Sequence, residues 1–97
     1  MNNYYTLYRT ERCPEFERLM IDRRVMGAFR YGSMNDEKKP QYDRIGSIKR
    51  RLQAFEEDRN AEHLVDIANL CLFEFLEGKH LGLRSIDDGE HTERVKR

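Results

Sequence analysis

Glu62, Asp66 and Asn69 recur at i, i+4 and i+7 within residues 61–78, the most apolar stretch of an otherwise heavily charged chain. On a helix that spacing stacks two carboxylates and an amide along one stripe. Carboxylate oxygens so arranged suit a hard cation such as Mg²⁺, which takes a few carboxylates together with water and substrate phosphates. Spacing alone favours the commoner use of such residues, an ion pair: Asp66 with Arg51 or Arg44 across a helical hairpin, and Asn69 hydrogen-bonded inside a bundle. Leu70 and Phe73 lie beside or above Asp66 on the next turn. They desolvate the carboxylate in part, so it seeks a cation of one kind or the other.

The basic counterpart is Arg44, Lys49, Arg50 and Arg51, followed by the acidic Glu56, Glu57 and Asp58. Opposite blocks of this kind pair ions on a solvated face, or the basic one forms a phosphate-binding edge. Arg23 falls inside an apolar stripe. It either snorkels to water or points into a pocket lined with carboxylates or phosphates. Of the histidines, His63 has no second histidine at i+4, and His80 and His91 lie in the C-terminal tail. There is no nucleophile elbow, Walker glycine loop or zinc-finger spacing, so covalent catalysis has no support.

Three helices must position these groups, giving an all-α hairpin or small bundle. The first is predicted from Pro14, a good first-turn residue followed by Glu15 and Glu17, to Tyr31, with Gly32 as a left-handed cap. Phe16, Leu19, Met20 and Met26 form its buried stripe. The second starts at an Asp43 N-cap and runs to about Asn60, with a narrow seam of Ile45, Ile48, Leu52 and Phe55. The third spans roughly 61–77 and stops at Gly78. A tight connection at Asn60 makes the last two an antiparallel hairpin. The apolar arc of the third helix, through Leu64, Val65, Ile67, Ala68, Cys71, Leu72, Phe75 and Leu76, is wide enough to require burial on two sides. Residues 1–13 read as a short extended arm, with 4–9 β-prone but unpartnered. Residues 33–43 are the main loop, and 79–97 an irregular tail that docks, if at all, through Leu81, Leu83 and Ile86.

Ninety-seven residues make one small domain, residues 1–97, with 14–78 as its helical core. Hydrophobic residues are 38% of the chain against 37% charged, so the core is expected to be completed by homo-oligomerisation. Eighteen basic and eighteen acidic residues cancel, which removes the global field that would draw the protein to nucleic acid or an anionic membrane. Cys13 and Cys71 are lone thiols, Cys71 reading as a small buried hydrophobe. The N-terminal residues lack a signal-peptide pattern, and residues 61–78 are too charged to span a bilayer. The expectation is a soluble, cytoplasmic protein.

The order Tyr31-Gly32, then Arg44-Ile45-Gly46-Ser47-Ile48-Lys49-Arg50-Arg51-Leu52, then His63-Leu64-Val65-Asp66-Ile67-Ala68-Asn69 resembles the MazG-like all-α NTP pyrophosphohydrolases. The likeness is to the small versions carried by phages and mobile elements, and it covers roughly residues 16–77. It implies Mg²⁺ held by helix carboxylates, hydrolysis of a nucleoside triphosphate to the monophosphate and pyrophosphate, and assembly as dimers or tetramers of hairpins. By position, Asp66 would be a metal ligand with Glu62 as a second, and Asn69 would orient water or substrate. Lys49, Arg51 and Arg44 would meet phosphate. The family's acidic E-x-x-E pair is absent, its place taken by Lys49-Arg50-Arg51, and Leu70 stands where a tyrosine is usual.

Two functional expectations follow. One is a nucleotide-binding protein of MazG-like type acting as a Mg²⁺-dependent pyrophosphohydrolase, through Asp66 and Asn69. The other is a non-catalytic helical interaction or adaptor protein of phage or mobile-element origin that kept the scaffold and lost the metal cluster. The adaptor would contact a protein partner through the basic edge of the second helix or the acidic loop at 35–37. Nucleic-acid binding ranks behind both.

Overall fold

A computed structural model describes residues 3–33, 42–78 and 82–84. Among them are four helices and no strand: α1 (Tyr4–Thr10), α2 (Pro14–Tyr31), α3 (Arg44–Asp58) and α4 (Glu62–Glu77). No described helix is long and apolar enough to cross a membrane. Most of the loop at 33–43, including its segment 35–37 with Asp36 and Glu37, lies outside the described residues, as do His80, Leu81, Ile86 and His91. Leu83 is described and stands exposed, so it is not docked on the described helices.

The expected extended arm is instead a helix. Asn3 caps α1, its Oδ1 accepting from the Thr6 backbone N–H at 2.9 Å. Tyr4 and Tyr8, one turn apart, stack with ring centroids 6.0 Å apart. This local i, i+4 contact and the cap outweigh the β preference of the Tyr-Tyr-Thr run. α1 packs on none of the other described helices. Arg12 ties it to α2, lying over the Tyr8 ring at 5.2 Å and donating from Nε to Glu17 Oε1 at 3.0 Å. That hydrogen bond lowers the Glu17 pKa below its ordinary value.

α2 begins at Pro14 and ends at Tyr31, as its sequence signals require. Gly32 closes it with φ 91° and ψ 157°, a positive-φ region almost restricted to glycine but not the left-handed helical cap expected. α3 starts on the Asp43 cap, whose Oδ1 accepts from the Gly46 backbone N–H at 3.0 Å. A Cβ on Gly46 would come within 2.9 Å of the Asp43 Cγ, so a side chain there competes with the cap. Arg59, at φ 56°, ends α3 in the left-handed region. The next turn is closed by side chains: Asn60 N–H donates to Asp58 Oδ1 at 2.8 Å, and Glu62 N–H donates to Asn60 Oδ1 at 3.0 Å.

α3 and α4 form the antiparallel hairpin predicted. Arg44 at the start of α3 reaches Glu74 and Glu77 at the end of α4, Arg51 meets Asp66, and Asp58 meets His63. α4 is the central element: α2 and α3 both pack on it and not on each other. Among the described residues Val65 is the one buried apolar residue, at 5% exposure. The stripe assigned to α2 is therefore not a closed core, because Leu19 and Met26 are exposed while Phe16 and Met20 are half-buried. Cys71 is exposed as well, not the buried hydrophobe expected.

Candidate functional site

The Glu62–Asp66–Asn69 stripe of α4 faces neighbouring helices. Asn69 is the most buried polar residue described, at 6% exposure, and both polar atoms of its side chain are hydrogen-bonded. Its Nδ2 donates to the Met20 carbonyl of α2 at 3.0 Å, and its Oδ1 accepts from Arg24 Nη1 at 3.0 Å. A mid-helix carbonyl already receives an i+4 N–H, so this extra bond fixes the height of α2 against α4.

Asp66 sits one turn earlier, between two guanidinium groups. Arg23 of α2 donates from Nη2 to both carboxylate oxygens, at 3.2 and 3.3 Å, and Arg51 of α3 donates from Nη1 to Oδ2 at 3.0 Å. Arg23 also pairs with Glu62. One carboxylate thus joins all three packed helices. Its side chain is 16% exposed against about 40% for each arginine, so the carboxylate is the less hydrated end of these charge-assisted bonds. Of the two uses of Arg23 open in the sequence, the one found is the carboxylate-lined setting.

The remaining predicted residues lie apart from this centre. Arg44, with its side chain 16% exposed, bridges Glu74 at 3.2 Å and Glu77, and so clasps the open end of the hairpin. Lys49 is exposed on α3 and does not line the cleft described next. His63 Nε2 lies 2.9 Å from Asp58 Oδ2 in the hairpin turn. The Asn60 N–H, then His63, lower the Asp58 pKa below its ordinary value. Arg51 alone of the predicted phosphate ligands stands with Asp66 and Asn69.

Those three residues line a cleft of about 640 Å³ that runs along the C-terminal half of α2. Arg23, Arg24, Arg30 and Arg51 contribute to its wall, as do Tyr31 and Phe73, with Asp66 as its sole carboxylate among the described residues. The volume lies within the range of small-ligand sites. Among the described residues, four guanidiniums against one carboxylate leave a surplus of positive charge even when Glu62, beyond the wall, is counted. Arg30 has no carboxylate partner among the described residues. The sequence reading missed Arg24 and Arg30. Their signal was the recurrence Arg23, Arg24, Arg30 on a helix already holding one misplaced arginine.

Among the described residues, Glu62 and Asp66 are committed to arginine and no third carboxylate joins them. Among the described residues no three His, Cys, Asp or Glu side chains come together for a metal. Both oxygens of Asp66 accept from arginine, and Glu62 is held by Arg23. What the arrangement offers chemically is a fork of guanidinium donors, suited to the planar or tetrahedral oxygens of carboxylate or phosphate. Comparison with family models, curated proteins and solved structures finds no match to this chain.

Proposed function

We propose that the protein binds a nucleoside triphosphate in the α2–α4 cleft, with arginines of α2 and α3 as the phosphate contacts. The observation that carries this reading is the convergence of Arg23, Arg24, Arg30 and Arg51 around one carboxylate on a cleft of nucleotide size. Asp66 then acts as the internal counter-ion that holds Arg23 and Arg51 in place when no ligand is bound. An incoming phosphate competes with Asp66 for the same donors and takes over part of their hydrogen bonding. Tyr31 and Phe73 give the wall apolar surface for a base or sugar.

Calorimetric titration with each NTP, at low and high salt, tests the reading. Binding is expected to weaken as salt screens the arginines. Arg30→Gln is expected to lower affinity about tenfold, the loss of one charge-assisted contact worth roughly 1.5 kcal/mol. No heat with any NTP at low salt sinks the proposal. Release of pyrophosphate with Mg²⁺ present would add the hydrolytic activity that the family resemblance implies. Binding without release leaves a nucleotide-responsive binding protein.

A second reading, the non-catalytic interaction protein, is favoured by a separate observation. Large apolar side chains stand exposed on every helix, among them Tyr5, Phe29, Leu52 and Phe75. Where such side chains gather into one patch they suit a protein partner.

A further inference from the structure

We infer that Arg23 is a latch: with the cleft empty it fastens α2 to α4, and a polyphosphate bound in the cleft draws it off and releases α2. This presupposes the phosphate site proposed for the cleft and adds the change in helix packing that follows when it fills. Arg23 directs all three guanidinium nitrogens at α4. Nη1 pairs with Glu62, Nη2 donates to Asp66 Oδ1 and Oδ2 at 3.2 and 3.3 Å, and Nε donates to Asp66 Oδ1 at 3.4 Å. Phosphate takes arginine best through two parallel N–H donors. With each nitrogen engaged, Arg23 presents such a fork only by letting go of a carboxylate.

α2 is also the lightly held helix, and none of its residues is fully buried. Besides Glu17, which Arg12 holds, its half-buried positions are Phe16, Met20, Arg24 and Gly27, spaced 4, 4 and 3. An arginine and a glycine thus stand where a closed seam has apolar side chains. Bonds between α2 and α4 include those of Arg23, that of Arg24 Nη1 to Asn69 Oδ1, and that of Asn69 Nδ2 to the Met20 carbonyl. Arg23, Arg24 and Asn69 all line the cleft. The groups that hold α2 in place are therefore groups that an anion in the cleft meets. α3 differs. Arg44 clasps it to Glu74 and Glu77, the turn at Asn60 joins it to α4, and neither borders the cleft.

Charge acts in the same direction. A triphosphate in the cleft stands beside Asp66, whose side chain is 16% exposed, and like charges so poorly hydrated repel strongly. Movement of α2 away from α4 relieves that repulsion. It also keeps Arg23 and Arg30, seven residues apart on one face of α2, together on the phosphates. A helix of 18 residues draws most of its stability from packing, so release shows as faster exchange of its backbone amides.

Hydrogen exchange of the full chain, with and without inorganic tripolyphosphate at matched ionic strength, tests this beside calorimetry of the same samples. The expected result is heat of binding together with α2 amides that exchange about fivefold faster or more, while the α3–α4 hairpin keeps its protection. Met20→Ala weakens the docking of α2 from outside the cleft wall. It is expected to tighten tripolyphosphate binding roughly twofold or more, because less docking must be undone. Binding with α2 exchange unchanged or slowed overturns the latch and leaves the phosphate site standing. No heat at all overturns both. A folded Met20→Ala chain that binds no more tightly than the native one overturns the latch too. If circular dichroism finds that variant unfolded, exchange in the native chain decides.

Discussion

The two sides of α4 invert the usual relation between polarity and burial. Toward α2 and α3 it presents Glu62, Asp66 and Asn69, and Asn69 is nearly as buried as Val65. On the opposite side it presents Leu64, Cys71 and Phe75 to solvent. The polar side is inside because each group there has a partner of matching geometry. Arginines long enough to arrive from two helices satisfy the carboxylates, and a backbone carbonyl satisfies the amide. The apolar side is outside because 97 residues with this composition supply too few apolar groups to cover it. Burial of a polar residue is tolerated when its hydrogen bonds are complete, whereas an apolar stripe waits for a surface.

Mutations on the two sides should therefore differ sharply. Asn69→Ala strips the Met20 carbonyl of one acceptor interaction and leaves Arg24 without its partner. It is expected to cost about 2–3 kcal/mol in urea unfolding. Phe75→Ser is expected to change the stability of the monomer by less than about 0.5 kcal/mol. Equal costs would break the comparison.

Arg44 sharpens it at the far end of the hairpin. Its clasp on Glu74 and Glu77 is half-buried on the arginine side but open on the glutamates. Arg44→Gln is expected to cost about 1 kcal/mol, and most of the difference should vanish in 1 M salt. A salt-independent loss would mean that the arginine stem, not its charge, holds α3 to α4.

The smallest effect is at the turn. The folded pKa of Asp58 lies below its ordinary value of 3.8, because the Asn60 N–H and His63 favour the carboxylate. A depressed folded pKa contributes stability above the unfolded value and loses it as pH falls through the folded one. The stability advantage of the native chain over Asp58→Asn should thus be present while Asp58 is ionised. It should shrink below pH 4, as followed by thermal melts.

Much of the fold was legible because helix ends are written in local chemistry. Pro14, Asp43 and Gly78 bound the elements they signal, and the Asn60 turn produced the hairpin. α1 was hidden by its tyrosines, whose strand preference masked the Asn3 cap. The stripe on α4 was legible as a stripe but not as an interior one. Periodicity gives the angle between polar and apolar faces and says nothing about which is covered. Arg23, sitting where an apolar residue belonged, was the sequence's one sign that polar groups face inward, and Arg24 beside it completes the contact with Asn69.

Asp66 is where the readings part most cleanly. Affinity for an NTP, measured for the native chain and Asp66→Asn with Mg²⁺ and with EDTA, compares the counter-ion role directly with the metal-ligand role. Releasing Arg23 and Arg51 from a part-exposed ion pair worth up to about 1 kcal/mol should tighten binding roughly two- to fivefold, with or without Mg²⁺. Loss of binding in Asp66→Asn, or affinity that depends on Mg²⁺ in the native chain and not in the variant, would contradict it.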